Sequence, residues 1–168
     1  ITEILMNQSS NGGFGLWGPS DGDMWLDAFV TDFLSRARAR GFDVPDVAFR
    51  AALDNLRNQV NYAPDFDFGG EALAYSLMVL AREGAAAVGD LRYYADVKGD
   101  AFATPTAMAQ LGAALASYGD QTRADAMFAR AAGLLNAATT ETEQLFRADY
   151  GTTYRDAAAV LTLAVESG

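Results

Sequence analysis

Apolar residues recur along this chain at the three- and four-residue spacing that places them on one face of an α-helix. The clearest run follows a polar turn at residues 20–23 and stops at Gly41, a residue type that favours helix termination. It predicts a helix over about Asp23–Arg40 with one buried face. The residues of that face are Trp25, Leu26, Phe29, Val30, Phe33, Leu34 and Ala37.

Two kinds of helix alternate in the rest of the chain. Nearly uninterrupted apolar segments predict helices that are buried on most sides, and they lie at about 71–83, 105–118 and 157–168. Segments with one apolar and one polar side predict surface helices, at about 45–61 and 121–138. Glycines that end similar segments mark a weak repeat, at positions 41, 84, 119 and 168. The alternation predicts an all-α fold with an inner apolar and an outer amphipathic layer of paired helices, as in a toroid or a solenoid.

A glycine-rich aromatic turn precedes the first long helix, with the sequence Asn-Gly-Gly-Phe-Gly-Leu-Trp at 11–17. Its glycines let the backbone bend where other residues would clash. Phe14 and Trp17 carry large apolar surfaces that need to pack against something. We therefore expect Phe14 and Trp17, supported by Trp25, to fill a pocket or the rim of a helical ring.

Composition narrows the range of functions. The 168 residues suit one domain, 1–168, and 51% of them are hydrophobic, which is ample for a core. A net charge of −10, with 12 basic residues, disfavours binding to nucleic acid. The chain has no cysteine and no histidine, so no cysteine nucleophile, thiolate zinc site or Ser-His-Asp triad is expected. No apolar run approaches the roughly 20 residues that cross a bilayer. We predict no catalytic residue, cofactor or metal in this chain, and no membrane insertion of it.

Several segments together resemble the thioester-domain region of bacterial alpha-2-macroglobulins. The turn at 11–17 and the helical segment at 25–34 are the most specific of them in combination. The other matching segments are Arg36–Arg38, Gly41–Pro45, Gly89–Tyr94, Ala109–Leu115 and Tyr150–Asp156. The resemblance therefore extends over nearly the whole chain.

The resemblance implies a structural role in a broad-spectrum protease inhibitor. Members of the family trap a protease that cuts a bait segment, and a thioester between a cysteine and a glutamine captures it. Because this chain has no cysteine, the thioester would be supplied from upstream of Ile1. The chain would be the C-terminal portion of an α/α-toroid thioester domain, a helical wall that shields and positions the bond and is not an enzyme. The expected partners are target proteases and neighbouring domains of the same polypeptide, in the periplasm and often tethered to the inner membrane.

Enzymatic alternatives remain open. The stretch from Gln8 to Trp17 is similar to the glutamine–tryptophan repeats of terpene cyclases and protein prenyltransferases, which are also α/α toroids. No aspartate-rich motif or zinc ligand set accompanies it. Glu141, Glu143 and Asp149 offer the acid and base of a toroidal glycosidase, although their spacing in the sequence fixes no separation.

Two further interpretations concern binding. A free-standing solenoid that binds peptides would also fit the helix pattern. The pairs Asp21 with Asp23 and Asp65 with Asp67 suggest calcium, but neither has the further oxygen ligands of a calcium loop. We therefore favour a polar turn or a helix cap for both pairs.

Overall fold

The computed structural model describes residues 1–63, 66, 69–138, 147 and 149–168. That part of the chain contains helices, turns and one isolated β-bridge between Gln8 and Phe14, and no strand of a sheet. The predicted all-α fold class is confirmed. The α-helices are α1 (Thr2–Leu5), α2 (Met24–Ala39), α3 (Asp46–Tyr62), α4 (Glu71–Arg82), α5 (Val88–Asp96), α6 (Pro105–Ser117), α7 (Gln121–Ala138) and α8 (Thr153–Ser167).

The contacts divide the chain into two compact units, Ile1–Pro64 and Asp65–Gly168. The expectation of one domain over 1–168 stays a prediction, and the two units are described separately below. Within the residues that the structure describes, no helix is both long and apolar enough to cross a bilayer.

The first unit is built on α2 and α3, which pack against each other. Its core consists of Phe14, Leu34, Ala37, Val44, Phe49 and Ala52. Helix α2 buries Ala28, Thr31 and Leu34, whereas Phe29 and Phe33 are half-exposed. The prediction that Phe29 and Phe33 lie on the buried face of α2 is therefore wrong within this unit. Helix α2 carries two stripes at helical spacing, and the one that faces the core of this unit has the smaller side chains.

The second unit places two nearly all-apolar helices at its centre. Most residues of α4 and of α6 are buried, whereas α7 buries mainly Ala124, Met127 and Ala131. Helix α6 packs against three other helices, α4, α7 and α8.

The last residues of α4, α6 and α8 line one cavity of about 260 Å³. Their starts are also close, because Ala103 donates its N–H to Gly69 and Thr106 donates its hydroxyl to Asp156. These three helices therefore run in the same direction. The predicted burial on most sides is confirmed for α4 and α6. It is wrong for α8 within this chain, because α8 buries only Asp156, Val160 and Leu163.

Three helices end in the same way, at glycines that the sequence indicated. Gly41, Gly84 and Gly119 have φ values of 82°, 68° and 74°, a left-handed conformation that glycine adopts without steric cost. The residue after each glycine donates its N–H to a carbonyl five residues earlier: Phe42 to Ala37, Ala85 to Leu80, and Asp120 to Leu115. These bonds define Schellman motifs, which satisfy carbonyl groups at the end of a helix.

Side chains cap the first turns of three helices. Asp23 and Thr104 accept hydrogen bonds from backbone N–H groups of α2 and α6. The cap of α8 is Thr152, and Thr153 is the first residue of the helix. The helix therefore begins before the apolar segment at 157–168 from which it was predicted.

Candidate functional site

The glycine-rich turn lies against α3 in the first unit. The Gln8 side chain donates its amide to the carbonyl oxygens of Ala48, at 2.9 Å, and of Gly12, at 3.2 Å. Gly12 has a φ of 94°, and a Cβ atom there would overlap the carbonyl group of Ala51 on α3. Only glycine allows this close approach, so the sequence of the turn fixes its position on the helix.

A buried carboxylate holds the same turn from the other side. Asp27 on α2 accepts a hydrogen bond at 2.7 Å from the backbone N–H of Phe14. Its second oxygen accepts from the side-chain amides of Asn55, at 2.8 Å, and Gln59, at 2.7 Å, both on α3. One buried acceptor therefore joins the turn, α2 and α3.

The three residues predicted to pack at a pocket or rim have different environments. Phe14 is buried in the core of the first unit. Trp25 is partly buried and stacks on Phe29, with ring centroids 5.3 Å apart and planes inclined by 12°. Trp17 is 99% exposed, so no described residue of this chain covers its ring. Packing of the three residues at a pocket or a rim stays a prediction.

The aspartates next to the turn have local structural roles. Asp23 caps α2 by accepting from the N–H of Leu26 at 2.8 Å, and Asp21 accepts from the Asn11 amide at 2.7 Å. The second calcium pair, Asp65 and Asp67, lies outside the described residues. Among the residues that are described, no three carboxylate, thiol or imidazole groups lie close enough to hold a metal ion.

Within the second unit, an ion-pair cluster ties the segment before α8 to α8 and α6. Arg147 contacts the carboxylates of Asp149 and Asp156, with its Nη2 2.8 Å from an oxygen of each. Thr106 on α6 donates its hydroxyl to Asp156 at 2.6 Å. Both aspartates are buried, and the charged hydrogen bonds compensate for their loss of water.

The cluster bears on the glycosidase interpretation. Burial raises the pKa of Asp149, but the hydrogen bond and the charge of Arg147 outweigh it, and the net effect lowers the pKa. A general acid in glycoside cleavage needs a raised pKa, so the lowered pKa argues against Asp149 as the acid but not as the ionised base. The other two candidates, Glu141 and Glu143, lie outside the described residues.

Sequence reasoning missed Asp27 because it lies just beside the aromatic stripe of α2. The signal that could have found it is a pair of amides on α3. Asn55 and Gln59 are four residues apart, so they lie on one side of a helix whose neighbouring positions are apolar. Two such amides at the edge of a buried stripe need a polar partner on another helix.

No protein-family model matches the chain. It is 34% identical over 177 aligned positions to the alpha-2-macroglobulin of Escherichia coli strain K12, which covers 99% of the chain and 10% of that protein. It is 32% identical over 165 positions to the alpha-2-macroglobulin of Xylella fastidiosa strain Temecula1, which covers 93% of the chain and 10% of that protein. The chain is homologous to the bacterial alpha-2-macroglobulins. The resemblance drawn from the sequence is thereby confirmed, over about one tenth of the length of these relatives.

Solved structures of alpha-2-macroglobulins share the fold of the chain. A crystal structure of the native Escherichia coli protein, spanning domain MG7 to the C-terminus, matches with a TM-score of 0.83 and 31% identity, over 98% of the chain and 27% of that structure. The structure of the trypsin-activated Escherichia coli protein has the same TM-score and identity, over 98% of the chain and 11% of that structure. The structure of the Salmonella protein reacted with methylamine matches with a TM-score of 0.84 and 32% identity, over 98% of the chain and 11% of that structure.

Proposed function

We propose that this chain is a helical wall of an alpha-2-macroglobulin-type protease inhibitor, which shields and positions a thioester supplied by another part of the polypeptide. The observation that best supports the proposal is the homology, because it extends over 99% of the chain at 34% identity. The relative whose structure was solved after trypsin activation is an additional support. The proposed targets are proteases, and the proposed architecture is part of an α/α toroid with α4, α6 and α8 as inner helices.

The chemistry of the chain is consistent with a supporting role. It has neither the cysteine of a thioester nor a histidine that could transfer an acyl group. Its buried polar clusters, around Asp27 and around Arg147, have hydrogen bonds that fix helices and turns to one another. The homology suggests an inhibitor and not a catalyst, and the lowered pKa of Asp149 argues against that residue as the general acid of a glycosidase.

Trp17 is the residue through which we propose that the wall meets its surroundings. Its ring is wholly exposed, yet the turn that carries it is fixed by Gly12 against α3 and by the bond from Phe14 to Asp27. A large rigid ring on a preorganised turn is the kind of residue that dominates contacts between domains. We propose that a neighbouring domain covers Trp17 and that this contact helps to exclude water from the thioester.

The thioester part of the proposal is tested on the complete polypeptide that contains this chain. Treatment with methylamine should release one thiol, and the treated protein should lose covalent capture of trypsin. If no thiol is released, the covalent mechanism is refuted, whereas retained non-covalent trapping would leave the family role intact.

The role of Trp17 needs a matched comparison. In the same polypeptide, Trp17→Ala should raise the rate of thiol release in water alone, because water would reach the bond more easily. Tyr62→Ala is the control, since Tyr62 is also an exposed aromatic residue of the first unit. Equal release rates in the two variants would contradict the shielding role of Trp17.

We also propose a periplasmic location, because the family resemblance implies it. Cell fractionation of the source organism tests this point, with the complete polypeptide expected among the proteins released by osmotic shock or attached to the inner membrane. Recovery in the cytoplasmic fraction would contradict it.

A further inference from the structure

The glycine-rich turn contains a chemically labile dipeptide. Asn11 is followed by Gly12, and the sequence has no other Asn-Gly pair. The backbone nitrogen that follows an asparagine can attack the Cγ atom of its side chain, and glycine hinders that attack least because it has no Cβ. Asn11 is exposed, so water has access to its side chain. The dipeptide therefore has the chemistry of a spontaneous deamidation site.

Hydrogen bonds hold both reacting groups of this dipeptide in the closed turn. The Oδ1 atom of Asn11 accepts from the backbone N–H of Gly13, at 2.9 Å, and from the hydroxyl of Ser9. The Nδ2 atom of Asn11 donates to Asp21 at 2.7 Å. The attacking group is also occupied, because the N–H of Gly12 donates to the carbonyl oxygen of Ser9 at 3.0 Å. The side chain of Asn11 cannot turn toward the Gly12 nitrogen until the turn opens locally.

The surroundings of Gly12 oppose the reaction as well. Gly12 is buried and has a φ of 94°, and a Cβ atom there would overlap the carbonyl group of Ala51 on α3. Ring closure onto Asn11 needs the backbone at Gly12 to move. While the turn lies against α3, there is no room for that movement.

We propose that Asn11 is a deamidation site whose rate is controlled by the hydrogen bonds that keep the turn closed. The Gly12 nitrogen forms a bond to the Cγ atom of Asn11 and loses its proton to water, and ammonia leaves as the bond between Cγ and Nδ2 breaks. Water then opens the resulting succinimide at either of its two carbonyls, giving aspartate or isoaspartate. Water is the co-reactant, and no electrons are transferred. This inference depends neither on the family assignment nor on protease inhibition.

The modification would mark molecules whose turn has opened. Isoaspartate adds one methylene group to the main chain next to Gly12, so the modified turn no longer fits the close contact with Ala51. Aspartate places a second carboxylate beside Asp21, where the amide of Asn11 now donates a hydrogen bond. Both products are formed irreversibly, so they record the opening of the turn that carries Trp17.

The test uses the complete polypeptide that contains this chain. It is incubated at mildly alkaline pH in heavy-oxygen water, either folded or in guanidinium chloride, and mass spectrometry of the proteolytic peptide with Asn11 measures the heavy oxygen gained. This label separates the reaction from deamidation during digestion. We expect the folded polypeptide to react at least about tenfold more slowly than the denatured one. Equal rates, or no reaction in the denaturant, would overturn the proposal.

Variants of the folded polypeptide test the hydrogen bonds directly. Asp21→Ala removes the acceptor of the Asn11 amide, so this variant should deamidate about two- to tenfold faster than the unchanged polypeptide. Asp43→Ala is the control, since Asp43 is also an exposed aspartate of the first unit. Asn11→Gln should abolish the label, because glutamine would have to close a larger ring. Equal rates in Asp21→Ala and Asp43→Ala, or a label that persists in Asn11→Gln, would overturn the proposal.

Discussion

Asp27 offers a direct test of how the aromatic turn is held. In Asp27→Ala, three donors lose the carboxylate that accepts their hydrogen bonds. They are the N–H of Phe14 and the side-chain amides of Asn55 and Gln59. A buried polar group without a partner costs about 1–3 kcal/mol, so we expect the free energy of unfolding of the first unit to fall by about 4 kcal/mol. Asp27→Asn keeps one oxygen for Phe14, and both neighbouring amides can turn over to accept from its new amide group. We expect a smaller loss for that variant, about 1–2 kcal/mol.

The composition of the chain provides a selective assay. Both tryptophans, Trp17 and Trp25, lie in the first unit, so tryptophan fluorescence during urea unfolding reports on that unit alone. Asp54→Ala is the control, because Asp54 is an exposed aspartate of α3 whose ion pair with Arg57 is worth less than about 1 kcal/mol. If the unfolding curve of Asp27→Ala coincided with that of the control, the hydrogen bonds of Asp27 would not hold the turn.

Three further predictions follow from the same structure. Trp25→Ala should destabilise the first unit by about 1–2 kcal/mol, because the ring is only partly buried and loses one stacking partner; circular dichroism during urea unfolding checks this. Gly12→Ala should cost more than about 1 kcal/mol in the fluorescence assay, because its positive φ is strained for alanine and a Cβ overlaps a carbonyl of α3. Arg147→Met should destabilise the second unit by about 3–5 kcal/mol, measured by thermal unfolding, because two buried carboxylates lose the cation that contacts both of them. The pKa of Asp149 is lowered in the folded protein, so its contribution is present above the ordinary value of 3.8 and is lost as the pH falls through the folded pKa. The destabilisation caused by Arg147→Met should therefore shrink as the pH falls through that range, and thermal unfolding at a series of pH values checks this.

The helices and their ends could be predicted because local chemistry determines them. Gly41, Gly84 and Gly119 stop three helices by adopting a left-handed conformation, and this preference belongs to the residue and not to its neighbours in space. Thr104 followed by Pro105 starts α6 for a similarly local reason. The apolar character of α4 and α6 likewise indicated burial on most sides.

The choice between competing partners could not be predicted from the pattern. Helix α2 has an aromatic stripe through Phe29 and a second stripe through Leu34, and helical periodicity fits both equally well. Only the packing of α3 decides which of them faces the core of this unit. Trp17 has the composition of a core residue, yet its covering depends on groups that are distant in the sequence. The role of Asp27 likewise needs Phe14, 13 residues earlier, and Asn55, 28 residues later.

The common direction of α4, α6 and α8 has a consequence for how such a chain can evolve. Each central helix is reached through a returning helix, so the chain advances by whole pairs, and the step from Gly84 to Gly119 takes 35 residues. Duplicating or deleting one complete pair would leave the orientation of every remaining helix unchanged, whereas losing a single helix would reverse all those that follow. Length changes of this region among relatives should therefore come in multiples of a hairpin.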